Sequence, residues 1–196
     1  MSVSDSFFPP LLQKNLRLER PFFGKRSIFL VTSRQSSVGK PKIHSKRSEM
    51  FNKDTLIGIG CDHAGFELKE YLKETLGKEG YRFEDFGTHG PDSVDYPDFA
   101  HAVAQRVQDG GLSFGILICG SGIGISIAAN KHPHVRCALC WKSEIAALSR
   151  QHNNANILAM PGRFISREEA LKTARVFFDT EFEGGRHQRR IDKIDL

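Results

Sequence analysis

From Thr55 onward, short apolar runs alternate with longer stretches in which apolar residues return every three or four positions. The first 53 residues show no sustained pattern of either kind. The run Leu56-Ile57-Gly58-Ile59-Gly60 reads as a buried strand. Phe66, Leu68, Tyr71, Leu72 and Leu76 then recur at helical spacing, with Glu67, Lys69, Glu70, Lys73 and Glu74 between them. Gly80 closes that helix, and 81–86 alternates as a second strand. Further strands are predicted over 114–118, 135–140 and 157–160, and further helices over 98–107, 126–130, 143–151 and 167–178. Strand and helix repeated five times predict right-handed crossovers and a mostly parallel sheet covered on both faces. The expected fold class is α/β, a three-layer α/β/α sandwich on a five-stranded parallel, Rossmann-like sheet. Such sheets take ligands at the carboxyl ends of their strands, beside the switch in strand order. Three groups of unusual residues are expected at those ends: Cys61-Asp62-His63 after strand one, residues 119–124 after strand three, and Gln151-His152-Asn153 before strand five.

Charge divides the chain further. The net charge of +5 hides a segment 1–53 with 11 Lys and Arg against 3 Asp and Glu, and a remainder with 17 against 20. That leader is rich in Ser and Arg and poor in acids. It fits an organelle transit peptide, a disordered extension, or sequence read from a start codon placed too early, with Met50 as the natural start. The expected organisation is a basic leader over 1–53 and one folded domain over 54–196. Nucleic-acid binding would rest on the leader alone, and no nucleic-acid partner is expected. No run of 18 apolar residues occurs, so no membrane-spanning helix is expected. Cys61, Cys119, Cys137 and Cys140 are too few and too unevenly spaced for a disulfide framework, which makes a reducing compartment the default. The cytoplasm is the expected location, or a mitochondrion or plastid if the leader is a transit peptide.

The candidate chemistry lies in four places. In Cys119-Gly120-Ser121-Gly122-Ile123-Gly124, alternate glycines between a strand and a helix let backbone amides turn inward as an anion nest. It is not the dinucleotide fingerprint, which has a different glycine spacing. A thiol at a helix N-terminus ionises readily and can act as a base, although a packed, inert Cys119 is the plain alternative. Asp62 either caps the first helix or meets substrate, and His63 is placed to meet an anion or a sugar hydroxyl. Tyr96, in Asp95-Tyr96-Pro97, is an aromatic wall with a hydroxyl or part of a simple turn. His152 and Asn153 end a helix, where a charged His merely suits the dipole. In Glu183-Gly184-Gly185-Arg186-His187-Gln188-Arg189-Arg190, three arginines form either a phosphate-binding hook or a solvated tail. Cys137 and Cys140 face opposite sides of a strand and have no second ligand pair, so no metal is expected. An anion nest with a soft base suits proton abstraction beside the carbonyl of a small phosphorylated sugar, with no cofactor.

Five segments together closely resemble ribose-5-phosphate isomerase type B: residues 61–65, 95–97, 118–124, 149–154 and 183–187, in order and without evident gaps across 56–194. The resemblance implies interconversion of ribose 5-phosphate and ribulose 5-phosphate through an enediolate. It also implies a homodimer, or a dimer of dimers, with sites at the interface. By resemblance, Cys119 is the base between C2 and C1, and the amides of Gly120, Ser121, Gly122, Ile123 and Gly124 with the Ser121 hydroxyl hold the enediolate. His152 opens the furanose ring with help from Asp62, and Asn153 binds the sugar. His63, Arg163, Arg186 and Arg190 resemble the phosphate-binding set, and Tyr96 lines the substrate. Some relatives replace the cysteine with a glutamate six residues on; Ile125 stands there, so this chain resembles the cysteine type. The rival readings are an isomerase of galactose 6-phosphate or allose 6-phosphate, and a non-catalytic sugar-phosphate-binding module.

Overall fold

A computed structural model describes Asn52 and residues 54–194. Apart from Asn52, the residues of the leader lie outside the described ones. The elements are β1 (Leu56–Cys61), α1 (Phe66–Lys78), β2 (Arg82–Asp85), α2 (Tyr96–Gln108), β3 (Phe114–Cys119), α3 (Ile123–Ala129), β4 (Cys137–Leu139), α4 (Ser143–Asn153), β5 (Ile157–Pro161), α5 (Arg167–Asp179) and α6 (Arg186–Ile191). The five strands are parallel in the order β2-β1-β3-β5-β4, so the expected α/β sandwich forms. Strand order reverses between β1 and β3. The loops after these two strands therefore border the switch-point crevice.

Alternation along the strands divides the core. Phe114, Ile116 and Ile118 of β3 pack with Leu68, Leu72 and Leu76 of α1 and with Ala174, Phe177 and Phe178 of α5. Leu117 and Cys119 point the other way, among Val103 of α2 and Ile125 and Ala129 of α3. On that face α2 rests almost on the sheet backbone: a Cβ at Gly115 would meet Val103 at 2.7 Å, and one at Gly58 or Gly60 at 3.2 Å. Cys137 and Cys140 fall in opposite cores, as the strand period requires.

Three elements differ from expectation. α3 begins at Ile123 rather than residue 126, because Gly122 takes φ +74° and turns the chain directly into the helix. α2 begins at Tyr96, with Pro97 in its first turn, where the missing amide costs nothing. The cationic hook is a helix, α6, that buries His187 and Ile191 one turn apart and leaves Arg186, Arg189 and Arg190 exposed.

One buried charge supports the carboxyl end of β2. Lys69 has no exposed side chain and donates to both Asp85 oxygens at 2.7 Å, with Glu70 3.0 Å away. Burial pushes the Asp85 carboxyl up, but hydrogen bonds from Lys69, Lys73 and the Gly87 amide outweigh it and hold the group below its ordinary range. Asp85→Asn leaves the Lys69 ammonium with only half-exposed Glu70, and we expect it to cost about 3 kcal/mol in denaturant unfolding at neutral pH. A depressed folded pKa gives stability above the unfolded value and loses it as pH falls through the folded one. The wild type should thus shed this share below roughly pH 4, and the variant should lack it throughout. Equal stability of the two proteins at pH 7 would contradict the assignment.

Candidate active site

Three loops converge at the carboxyl end of the sheet. The Asp62 amide donates to the Ile118 carbonyl at 3.1 Å, Gly162 N–H to the Cys119 carbonyl at 2.9 Å, and Arg163 N–H to the Gly120 carbonyl at 3.1 Å. Asp62 Oδ1 accepts from the amides of Ala64 (2.9 Å) and Gly65 (3.0 Å), which closes the turn before α1 and occupies one carboxylate oxygen. The helix itself has Gly65 as its N-cap and no side-chain cap, so the capping expected of Asp62 is corrected to a turn contact. His63 Nδ1 accepts from the Val94 amide at 3.3 Å, which places the ring proton on Nε2, ready to meet an anion. A Cβ at Gly120 would lie 3.5 Å from Arg163 Nε, and one at Gly124 would lie 2.6 Å from the Tyr96 ring. Arg163 and Tyr96 thus flank the glycine loop from two sides.

Inside that loop, Cys119 Sγ accepts from the Gly122 amide at 3.2 Å, and Ser121 Oγ accepts from the Ile123 amide at 3.3 Å. Two of the amides expected to hold an enediolate are therefore already committed. Those of Gly120, Ser121 and Gly124 have no partner among the described residues. Cys119 is 4% exposed, at the floor of the loop. The other cysteines are set apart by their surroundings: burial pushes the Cys61 thiol up to about 12 and the Cys140 thiol up to about 11, and raises Cys137 as well. A cavity of about 600 Å³ lined by His63, Phe66, Ile165 and Arg167 lies nearby but does not reach Cys119.

His152, Asn153, Arg186 and Arg190 stand at the opposite end. α4 runs back from the carboxyl end of β4, and just beyond its last turn the Asn156 carbonyl accepts from the Gly115 amide, at the start of β3 (2.9 Å). Four strand residues, about 13 Å, separate Gly115 from Cys119. The placing of residues 151–153 among the carboxyl-end groups is therefore corrected: a segment that precedes a parallel strand lies at its amino end. The amino-end group is built on Arg150, a residue sequence reading passed over. Its buried guanidinium donates to Ala155 O (2.6 Å), Asn154 Oδ1 (2.8 Å) and Thr180 O (3.3 Å) and lies over the rings of Phe114 and Phe177. Burial, with Arg136 nearby, lowers its pKa to about 10, so it remains a cation at neutral pH. It ties the end of α4 to the segment after α5. The Glu183 amide then donates to the Gln151 carbonyl at 3.1 Å, which brings α6 and its arginines beside His152 and Asn153.

The candidate residues thus fall into two groups at opposite ends of one sheet, and comparison with known proteins identifies the family. The profile of the Ribose/Galactose Isomerase family matches residues 57–194. The chain belongs to that family. Ribose-5-phosphate isomerase B of Escherichia coli (strain K12) is 44% identical over 138 residues, covering 70% of this chain and 93% of the relative. Among solved structures, ribose-5-phosphate isomerase B of Clostridium thermocellum is 51% identical with a TM-score of 0.70, covering 71% of this chain and 95% of that one. The Mycoplasma genitalium ribose-5-phosphate isomerase B with bound ribulose-5-phosphate is 44% identical with a TM-score of 0.70, covering 73% and 95%. Within the ribose/galactose isomerase fold, one cluster of metal-type donors stands out among the described residues: His152, Glu183 and His187, whose ligand atoms lie within 4.8 Å of one another. Spacing along the sequence could not show it. The cluster does not suit a chelate, because imidazole lone pairs lie in the ring plane. The two rings are stacked 3° from parallel and cannot both aim at one ion.

Proposed function

We propose that the chain interconverts ribose 5-phosphate and ribulose 5-phosphate, as a homodimer in which each site joins the carboxyl end of one copy to the amino end of the other. The observation that carries the reaction is Cys119, held by the Gly122 amide in a glycine loop flanked by Tyr96 and Arg163. The substrate arrives as a furanose. His152 of one copy gives a proton to the ring oxygen as the C1–O4 bond breaks. The Asp62 oxygen of the other copy that is not used in the turn takes the proton of O1. The Cys119 thiolate then removes the C2 proton, and the electron pair moves into an enediolate held by the amides of Gly120, Ser121 and Gly124 and by the Ser121 hydroxyl. The hydroxyl proton passes from O2 to O1, and the thiol returns its proton to C1. Asn153 binds sugar hydroxyls. His63 and Arg163 from one copy and Arg186 and Arg190 from the other bind the phosphate.

The relative with bound ribulose-5-phosphate supports the substrate class. The separation of the two half-sites supports the pairing, as does an exposed apolar strip: Ile123 and Ile127, one turn apart on α3, are each more than half exposed beside Tyr96. No helix among the described residues is long and apolar enough to cross a membrane. We place this enzyme, with its catalytic domain over 54–196, in the cytoplasm, or in a mitochondrion or plastid should the leader act as a transit peptide. Turnover of ribose 5-phosphate against galactose 6-phosphate and allose 6-phosphate, with no metal added, tests the substrate. Preference for either six-carbon sugar would overturn it. Arg186→Ala and Arg190→Ala are expected to raise KM with little change in kcat, because a phosphate contact present in ground and transition states is uniform binding. A fall in kcat at constant KM would remove these arginines from the phosphate site.

A further inference from the structure

Three side chains at the end of α4 form an arrangement that the phosphate and sugar contacts leave unused. The His152 ring lies flat on the His187 ring, with 4.3 Å between centroids and 3° between planes. His187 is buried, and Arg186 Nε–H donates to its Nε2 at 3.3 Å, so that nitrogen carries a lone pair and the ring is neutral. Glu183 Oε2 sits 4.0 Å from His152 Nε2 and 3.6 Å from His187 Nε2. Positive φ at Gly184 and Gly185 folds the chain back, so that residues 183 and 187 meet the same imidazole.

We propose that Glu183 and His187 are positioning residues for ring opening: the His187 face fixes the plane of the His152 imidazole, and the Glu183 carboxylate keeps a proton on its Nε2, so that Nδ1 is the atom offered to the sugar. The inference rests on the ring-opening role proposed for His152 above. As the C1–O4 bond breaks, Nδ1 of the imidazolium gives its proton to O4 and the ring becomes the neutral Nε2–H tautomer, while O1 loses its proton to Asp62. Two stacked cations would repel, and a neutral His187 leaves the charge to His152. At 4.0 Å the Glu183 carboxylate stands just beyond hydrogen-bond distance of His152 Nε2, and a small rotation of this half-exposed side chain closes the gap, as active-site contacts do when substrate is bound.

Ribulose 5-phosphate cannot close a furanose ring, because its O5 carries the phosphate. Exchange of its C1 proton with deuterated solvent therefore reports on Cys119 without ring opening, whereas turnover of ribose 5-phosphate needs both. In the full chain, Glu183→Gln and His187→Ala should lower turnover of ribose 5-phosphate roughly ten- to a hundredfold while leaving exchange unchanged. His187→Phe, which restores a flat ring, should regain part of the turnover. Where His187→Ala does not fold, the partly exposed Glu183→Gln carries the test. Loss of both activities in parallel, or of neither, overturns the proposal. His152→Gln in the same assays separates the two levels. If it loses turnover selectively and the Glu183 and His187 variants do not, the positioning role alone falls. If it keeps turnover, the ring-opening role falls and takes this inference with it.

Discussion

Cys119→Ala is expected to lower kcat on ribose 5-phosphate by about two to four orders of magnitude, the range for losing a general base, while substrate still binds. Binding should survive because the phosphate contacts assigned to His63, Arg163, Arg186 and Arg190 do not involve the thiol. The same residue should dominate reaction with thiol reagents at neutral pH. Burial raises the pKa of Cys61, Cys137 and Cys140 and keeps those thiols protonated. Carbamidomethylation should therefore inactivate the enzyme with one modified cysteine per chain, and ribulose 5-phosphate should protect it. Added EDTA should leave activity unchanged, because the proposed enediolate site is built of amides and a hydroxyl. A near-normal kcat in Cys119→Ala would reduce the residue to packing. Activity that fell on chelation would contradict the amide-held enediolate.

How much of this was visible along the chain depends on how local each feature is. The strand-helix alternation, the two covered faces of the sheet and two of the loops at its carboxyl end, those after β1 and β3, follow from period and turn chemistry. The third, at Gly162 and Arg163 after β5, carries no such local signal. Asp62, His63 and Cys119 lie within a few residues of the strand ends that place them. Spacing places the start of α3 three residues late because Gly122 and Gly124 are poor helix formers, and only the positive φ at Gly122 shows why the helix begins at Ile123. α6 read equally well as a tail, since a helix of six residues offers a single turn of spacing, and its buried pair is an isoleucine and a histidine. Arg150 carries no local signal: nothing in the helical spacing of 143–151 says that two phenylalanines from β3 and α5 will lie against it. The stack of His152 on His187 joins residues 35 positions apart, and only the fold brings them together.

The placing of His152 opposite Cys119 is the feature with the largest consequence, and mixed dimers test it. Cys119→Ala and His152→Ala chains are each expected to be nearly inactive. Unfolded together in equal amounts and refolded, they should pair at random, so that about half of the dimers carry one chain of each kind. In a shared-site dimer one site of such a pair combines both defects. The other site takes its Cys119 from the His152→Ala chain and its His152 from the Cys119→Ala chain, and is intact. Roughly a quarter of wild-type activity should return, since half of the dimers have one working site of two. Mixing without unfolding should return less, in proportion to how slowly the chains exchange. If Cys119 and His152 served one site within a single chain, every site in the refolded mixture would keep one defect, and no activity would return. Complementation is the expected result because α4 returns His152 to the amino end of β3 while Cys119 closes its carboxyl end, so within the proposed dimer a second copy would bring the imidazole over the thiol.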